Sequence, residues 1–304
     1  MSNIYNLAGY ITLRDKKQYA FSIFCNHYKG PLREIKKVGV VGAGTMGKGI
    51  AQVFAIYDYP VTLVDIDEKI LQGAMGKLKK FTEPELWNKV SNLIETSTEF
   101  SKLEDCDLVI DAVFEDLTVK RKVLESLNRI CKESAIIATN TSSISINKLA
   151  AALDNPSRFV GMHFMNPPKV MKLVEIIRGD KTSEEIVKTV TDLAMTLDKI
   201  PAIVNDSPGF VSNRLLFALI GESLKLLEDG IAEKEDIDTV MKYGMNHPMG
   251  PIKLADFIGL DICLNIMSVL YNDLKDDRYK PPHILETLVK DGKLGKKSGE
   301  GFYK

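Results

Sequence analysis

The chain is poor in the residues that mark several functional classes. Only Cys25, Cys106, Cys131 and Cys263 are cysteine, and no two of them form a C-x-x-C pair. Thiols scattered in this way speak against a disulfide frame or a zinc site, so no metal is expected, and they fit reduced side chains in a cytoplasmic protein. Charge of one sign is also missing: 40 basic and 41 acidic residues leave a formal net charge of -1. That balance gives no footing for a nucleic-acid or membrane surface. No apolar run approaches the roughly 20 residues of a bilayer span. Histidine is scarce, with only His27, His163, His247 and His283 present, which narrows the choice of an acid-base group that works near neutral pH.

The strongest signal is the stretch Lys37 to Ala51. A short β-branched run leads into Gly42-Ala43-Gly44-Thr45-Met46-Gly47, and a helical pattern follows. In a G-x-G-x-x-G turn of this kind, Gly42 permits the tight turn, Gly44 leaves room for a pyrophosphate and Gly47 lets helix and sheet pack closely. The phosphates would then sit at a helix N-terminus, where free N–H groups favour negative charge. A second strand, Val61 to Val64, ends in Asp65, an acid at the spacing that holds ribose hydroxyls. These features point to dinucleotide binding, and Asp65 favours NAD over NADP.

The pattern continues as strands alternating with helices. Asp107 to Val113 reads as a buried strand, with Glu115 and Lys120 at the following turn. Ala135 to Ala138 reads as another, ending in the polar cluster Asn140-Thr141-Ser142-Ser143. Such turns lie at the carboxyl edge of a parallel sheet, where ligands bind, although Ser142 or Ser143 could equally cap the next helix. Phe159 to His163 and Met171 to Ile177 are strands joined through Asn166-Pro167-Pro168; a helix over 183–197 and a strand at Ala202 to Val204 follow. The segment from Glu68 to Glu95 reads as helical with a turn at Thr82-Glu83-Pro84, and its Lys69, Lys77, Lys79 and Lys80 fit either a solvated face or contacts to substrate phosphates.

The expected fold is α/β, a doubly wound, mostly parallel Rossmann-type sheet with a second, all-helical C-terminal domain. The pattern changes at Asp206-Ser207-Pro208-Gly209, where Ser207 is suited to cap a helix and Pro208 to begin it. That helix carries Leu215 to Ile220, apolar on every side, and therefore belongs inside a bundle or against another subunit. The expected divisions are an N-terminal extension (1–35), a dinucleotide domain (36–205) and a helical domain (206–304) that forms a homodimer. Lys16-Lys17 and the apolar run after them only faintly resemble a signal peptide. The extension reads as a hairpin or a mobile arm without catalytic duty.

An alcohol oxidised by a nicotinamide cofactor needs a base for its hydroxyl proton. His163, ending a strand at the cofactor edge, is the best placed of the four histidines. Glu175 sits in an apolar strand, where a carboxylate is costly unless partnered. Its partner is either His163, whose tautomer it would fix, or Arg178 in a strand-end ion pair. Asn213 is either a satisfied core amide or a group that reaches the cleft to bind a carbonyl oxygen.

Seven ordered motifs add a resemblance. The glycine turn, Asn140 to Ser143, Met162 to Pro167, Val170 to Glu175, Pro208 to Arg214, Asn246 to Pro251 and Gly299 to Tyr303 together resemble the L-3-hydroxyacyl-CoA dehydrogenase family over nearly all of 36–304. The resemblance implies reversible, NAD-dependent oxidation of a short-chain (S)-3-hydroxyacyl-CoA. It implies His163 as acid-base, Glu175 as its partner, Ser142 and Asn213 as substrate contacts, and Glu115, Lys120, Asn166 and Lys297 around the cofactor. Two departures stand out: the extension, and a 66–105 segment that reads as short, which leaves the coenzyme A contacts of Lys77, Lys79 or Lys80 open. A free hydroxy acid substrate, as in the related gulonate dehydrogenase and λ-crystallin proteins, and a non-catalytic dinucleotide-binding protein are the alternatives.

Overall fold

The computed structural model describes residues 4–12, 18–26 and 33–304. Lys16, Lys17 and His27 lie outside the described residues. The chain separates into two compact units, Met1–Glu34 and Ile35–Lys304. In the first, β1 (Ile4–Thr12) pairs antiparallel with β2 (Gln18–Asn26).

The second unit is built on an eight-stranded sheet in the order β10-β9-β8-β7-β6-β3-β4-β5. Its centre comprises β3 (Val38–Val41), β4 (Val61–Val64), β6 (Leu108–Asp111) and β7 (Ile136–Thr139), each buried along its whole length. Continuous apolar strands are what a parallel sheet covered on both faces requires. One cover packs α1 (Thr45–Ile56), α2 (Glu68–Phe81), α3 (Pro84–Leu93) and α6 (Glu184–Thr196) on the sheet through Phe54, Leu71, Val90 and Val190. The opposite cover uses α4 (Leu117–Ile130) and α5 (Ile146–Ala150) through Leu124, Leu127 and Leu149. Strands β3 to β8 run parallel, β8 (Phe159–Phe164) pairs antiparallel with β9 (Leu173–Arg178), and β10 (Ile200–Asn205) runs parallel to β9. The order reverses between β3 and β6, the switch point at which doubly wound sheets open a ligand crevice.

Three local expectations are corrected. The turn expected at Thr82-Glu83-Pro84 is present, with Pro84 opening α3, but the helical pattern does not run on to Glu95: Ile94–Ser97 forms the edge strand β5 beside β4. Pro84 cannot continue α2 because it lacks an N–H, and the Thr82 hydroxyl fixes the break by donating to Leu78 O (2.6 Å) and accepting from Gln52 Nε2 (2.7 Å). The half-solvated Glu-Thr-Ser of β5 conceals its strand character. Ser142 and Ser143 do not cap the next helix; α5 starts at Ile146 with Ser145 as its cap. Nor does the long apolar helix begin at Pro208. Residues 207–210 turn first, with Gly209 and Phe210 both left-handed at φ +71° and +51°, and α7 spans Ser212–Glu228. The Ser207 hydroxyl accepts from Arg214 Nη1 (3.1 Å) instead of a helical amide.

From α7 onward the described chain is helical, with α8 (Lys234–Thr239), one π turn (Val240–Gly244), α9 (Pro251–Ile258), α10 (Leu260–Leu274) and α11 (His283–Lys290). Phe217, Ile220, Leu224, Ile252, Cys263 and Met267 form its core. α7 buries one face within the chain, yet its Leu215 is 69% exposed. Two carboxylates strap the closing residues down. Asp256 accepts from the amides of Phe302 (2.9 Å) and Tyr303 (2.7 Å), while Asp238 accepts from the Tyr303 hydroxyl (2.9 Å) and from the Ile252 and Lys253 amides that open α9. Among the described residues no single helix is long and apolar enough to cross a membrane.

Candidate active site

A cleft of about 540 Å³ opens at the switch point, lined by Gly42, Gly44, Thr45, Met46 and Asp65 together with the apolar Ile66, Ile70, Phe114, Val119 and Val123. A Cβ on Gly47 would stand 1.7 Å from Gly42 O, and one on Gly42, held at φ +96°, would stand 2.8 Å from Ala112 O; a Cβ on Gly44 would meet nothing within 4 Å. Two glycines therefore serve the backbone's close packing, and the third keeps the mouth of the cleft clear. α1 begins at Gly44 with no side-chain cap and no acid in its first turn, so its free N–H groups face the crevice as a phosphate site does. Asp65 anchors one carboxylate oxygen on the Ala43 amide (2.7 Å), and its other oxygen is available to ribose hydroxyls. The apolar slot, uncapped helix and acid fit a dinucleotide. Lys48 on α1 has its ammonium pushed below the usual lysine value by burial and then by the charge of Lys77 on α2.

At the adjoining edge, Glu115 organises the polar cluster. Its Oε1 accepts from the Thr141 hydroxyl (2.7 Å) and from the Ser142 (2.7 Å) and Ser143 (3.0 Å) amides, with both serine hydroxyls also in reach. Burial pushes this carboxyl up, and the Lys120 charge and these hydrogen bonds outweigh it, leaving it below its ordinary value. Lys120 itself is 1% exposed. Its ammonium bonds Asp111 Oδ2 (3.0 Å) and Val113 O (3.3 Å) and lies 3.7 Å from Glu115. It thus sits beneath the cluster and holds it through carboxylates.

The antiparallel register sets His163 of β8 directly opposite Glu175 of β9. Their side chains, both buried, meet with Nδ1 to Oε2 at 2.9 Å. Oε2 also accepts from the Ser212 hydroxyl (2.7 Å), and Oε1 accepts from the amides of Val211 (3.2 Å) and Ser212 (2.9 Å) at the start of α7. Burial raises the Glu175 carboxyl, and the bonds from His163 and Ser212 more than offset it, holding it below the carboxylate's usual value. Arg178 pairs with Glu184 instead. The imidazole packs 6.1 Å from the ring of Phe210, centroid to centroid. Among the described residues its Nε2 has no hydrogen-bond partner, so it is free to meet a ligand proton.

The profile of the 3-hydroxyacyl-CoA dehydrogenase NAD binding domain matches residues 37–207, and that of the family's C-terminal domain matches 209–304. The chain belongs to the 3-hydroxyacyl-CoA dehydrogenase family. It is 47% identical over 279 residues to a probable 3-hydroxybutyryl-CoA dehydrogenase of Deinococcus radiodurans, covering 88% of this chain and 99% of that one. The corresponding enzyme of Bradyrhizobium diazoefficiens is 44% identical over 278 residues, with 88% and 95% covered. The crystal structure of (S)-3-hydroxybutyryl-CoA dehydrogenase from Ralstonia eutropha superposes with a TM-score of 0.85 at 44% identity, over 89% of this chain and 99% of that one.

The other sequence-expected residues of this 3-hydroxyacyl-CoA dehydrogenase fall in different places. Asn140 is buried and accepts from the Phe164 amide (2.8 Å), bracing the end of β8 next to His163. Asn213 reaches from α7 to the Ser142 carbonyl (2.8 Å) and ties the helical part to the serine cluster. Asn166 is exposed in the turn after β8. That turn is pinned from below by the Lys199 ammonium, which donates to Pro168 O (2.6 Å) and Met171 O (3.0 Å). Lys297 pairs with Asp261 at the start of α10. Sequence reading gave no role to Ser212, Asp111 or Asp206. Asp206 takes the Ser145 hydroxyl (2.6 Å) and the Asn147 amide (2.8 Å) and so fixes the far end of the serine loop. A carboxylate at a strand end, seen in Asp111 and Asp206 alike, was the available signal.

Asp65 yields a cofactor prediction. A 2′-phosphate would bring its charge against this carboxylate, so kcat/KM with NADH is expected to exceed that with NADPH by about 10²-fold or more. Steady-state assays with both cofactors measure the ratio, and an NADPH preference would remove Asp65 from the ribose site.

Proposed function

We propose that this family member oxidises (S)-3-hydroxybutyryl-CoA to acetoacetyl-CoA reversibly, with His163 and Glu175 as its acid-base pair. The observation that carries the reading is the buried 2.9 Å contact between His163 Nδ1 and Glu175. With Nδ1–H donating to the carboxylate, Nε2 keeps its lone pair and takes the proton of the 3-hydroxyl; in the reverse direction the imidazolium returns it. NAD held in the cleft would supply the acceptor for the hydride that leaves C3 as the hydroxyl loses its proton. Glu175 then faces a cation and stabilises it, while the Ser142 loop and Asn213 hold the oxygen that changes from hydroxyl to carbonyl. Lys48, Lys77, Lys79 and Lys80 supply positive charge for coenzyme A phosphates.

NADH formation with (S)-3-hydroxybutyryl-CoA and with L-gulonate tests the substrate. Turnover is expected on the thioester alone; turnover on the free acid alone would replace the proposed substrate. The exposed apolar side chains of the helical part, among them Leu215, Val240, Tyr243 and Phe257, support a homodimer through this surface, and sedimentation is expected to give twice the 33.9 kDa chain mass.

A further inference from the structure

Ser212 holds two of the bonds on Glu175, one from its amide and one from its hydroxyl, and the hydroxyl shares Oε2 with His163. Resting on the acid-base reading above, we propose that Ser212 is a positioning residue whose hydroxyl sets how strongly the His163–Glu175 pair binds a proton. The argument is electrostatic. Each donor on a carboxylate spreads and neutralises its charge, so the carboxylate attracts a neighbouring imidazolium less. The Ser212 hydroxyl stands at 2.7 Å, closer to Oε2 than the imidazole at 2.9 Å, and it competes for the same oxygen. The two donors thus share one acceptor oxygen, which lessens the pull that Glu175 exerts through it.

Among the described residues, no other charged side chain contests this effect at Glu175. β10 places Ala202 opposite Glu175. α6, behind β9, turns Ile186 and Val190 inward and pairs its charges outward, Lys188 with Asp192 and Glu184 with Arg178. On α7, Arg214 is engaged with the Ser207 hydroxyl. Glu115, on the adjoining loop, is taken up by Lys120 and the Thr141–Ser143 cluster. The hydroxyl also does a second job: through it the first residue of α7 is clasped to β9, so helix placement and proton affinity are set by the same group.

The sign follows directly. Removing the hydroxyl leaves Oε2 to His163, and the imidazolium becomes more stable. Oxidation needs neutral His163, so its rate climbs with pH through the imidazole's pKa; a raised pKa moves that rise to higher pH. Reduction needs the imidazolium and persists to higher pH.

The first readout avoids substrate altogether: titrating the His163 ring by NMR in the ligand-free protein, with the His163→Gln spectrum assigning its resonances. Ser212→Ala is expected to raise the His163 midpoint by about 0.5 to 1 pH unit, and Ser212→Thr, which keeps a hydroxyl, to return it to within about 0.2 unit of the parent. The acid limb of kcat/KM for oxidation is expected to move by the same amount. An unchanged or lowered midpoint in Ser212→Ala, or a threonine variant that behaves like alanine, overturns the proposal; a fall in kcat without a midpoint shift assigns the serine a purely structural role and overturns it as well. Should Ser212→Ala fail to fold, Ser212→Gly supplies the same hydroxyl-free titration. Failure of the substrate assignment would appear as absent turnover in the parent protein, which leaves the NMR titration readable.

Discussion

Replacing His163 by glutamine is expected to lower kcat by about 10²- to 10⁴-fold in both directions while the affinity for NADH stays within a few-fold. Glutamine preserves the approximate shape and a hydrogen bond to Glu175, but its amide neither accepts nor releases a proton near neutral pH. The cofactor cleft is formed by residues on β3, α1, α2 and α4 and in the loops that follow β3, β4 and β6, and the ring packed against His163 is Phe210, outside that cleft. Binding and chemistry should therefore separate. Glu175→Gln is expected to act through the tautomer: a donor amide opposite Nδ1 favours the imidazole with Nε2 protonated, which removes the lone pair that receives the hydroxyl proton. Steady-state turnover on the acyl-CoA pair, together with NADH fluorescence titration, measures both quantities. Near-full turnover in either variant would remove the pair from the reaction.

The parts legible in the sequence were those written in local chemistry. Gly42, Gly44 and Gly47 announce themselves because each has a different steric duty, and the fold places them as that logic requires, with Gly47 crowded and Gly44 open. Glu175 was legible as an anomaly, an acid in an apolar strand whose partner had to lie nearby. Choosing His163 over Arg178 required the register of β8 against β9, which no window of single-strand sequence contains. Ser212 and Lys120 were less legible for the same reason. With the helix expected to open at Ser207-Pro208, Ser212 carried no signal of its own, and Lys120, at the carboxyl edge of the sheet, reads as a ligand contact rather than a buried counter-ion. Only the fold brings the first onto Oε2 and sinks the second below a loop. The edge strand β5 was missed because its polar residues face water, leaving too little apolar alternation to separate it from the helix before it.

Lys120 gives the second large prediction, and it separates two roles. As a group reaching the cofactor, its loss would weaken NAD binding and leave the fold alone. As the buried counter-ion of Asp111, its loss strands a carboxylate that is 0% exposed, with only the Thr139 hydroxyl (2.8 Å) and the Val113 amide (3.1 Å) left to it. Breaking a buried pair from one side costs about 3–5 kcal/mol, since the remaining charge is left uncompensated. Lys120→Met is therefore expected to destabilise the protein by about 3–5 kcal/mol, lowering Tm by roughly 10 °C. Asp111→Asn combined with Lys120→Met removes the stranded charge and is expected to recover more than about half of that loss, because the penalty belongs to the orphaned carboxylate and not to the missing lysine. Activity has its own path to failure: without the ammonium 3.7 Å away, Glu115 holds its proton more readily, and the Thr141–Ser143 amides lose the anion they surround. The double variant should accordingly regain stability before it regains turnover. Thermal unfolding of the three variants beside NADH titration decides the matter: weakened NADH binding at unchanged Tm would place the Lys120 ammonium on the cofactor, and a Tm loss rescued by Asp111→Asn places it on the fold.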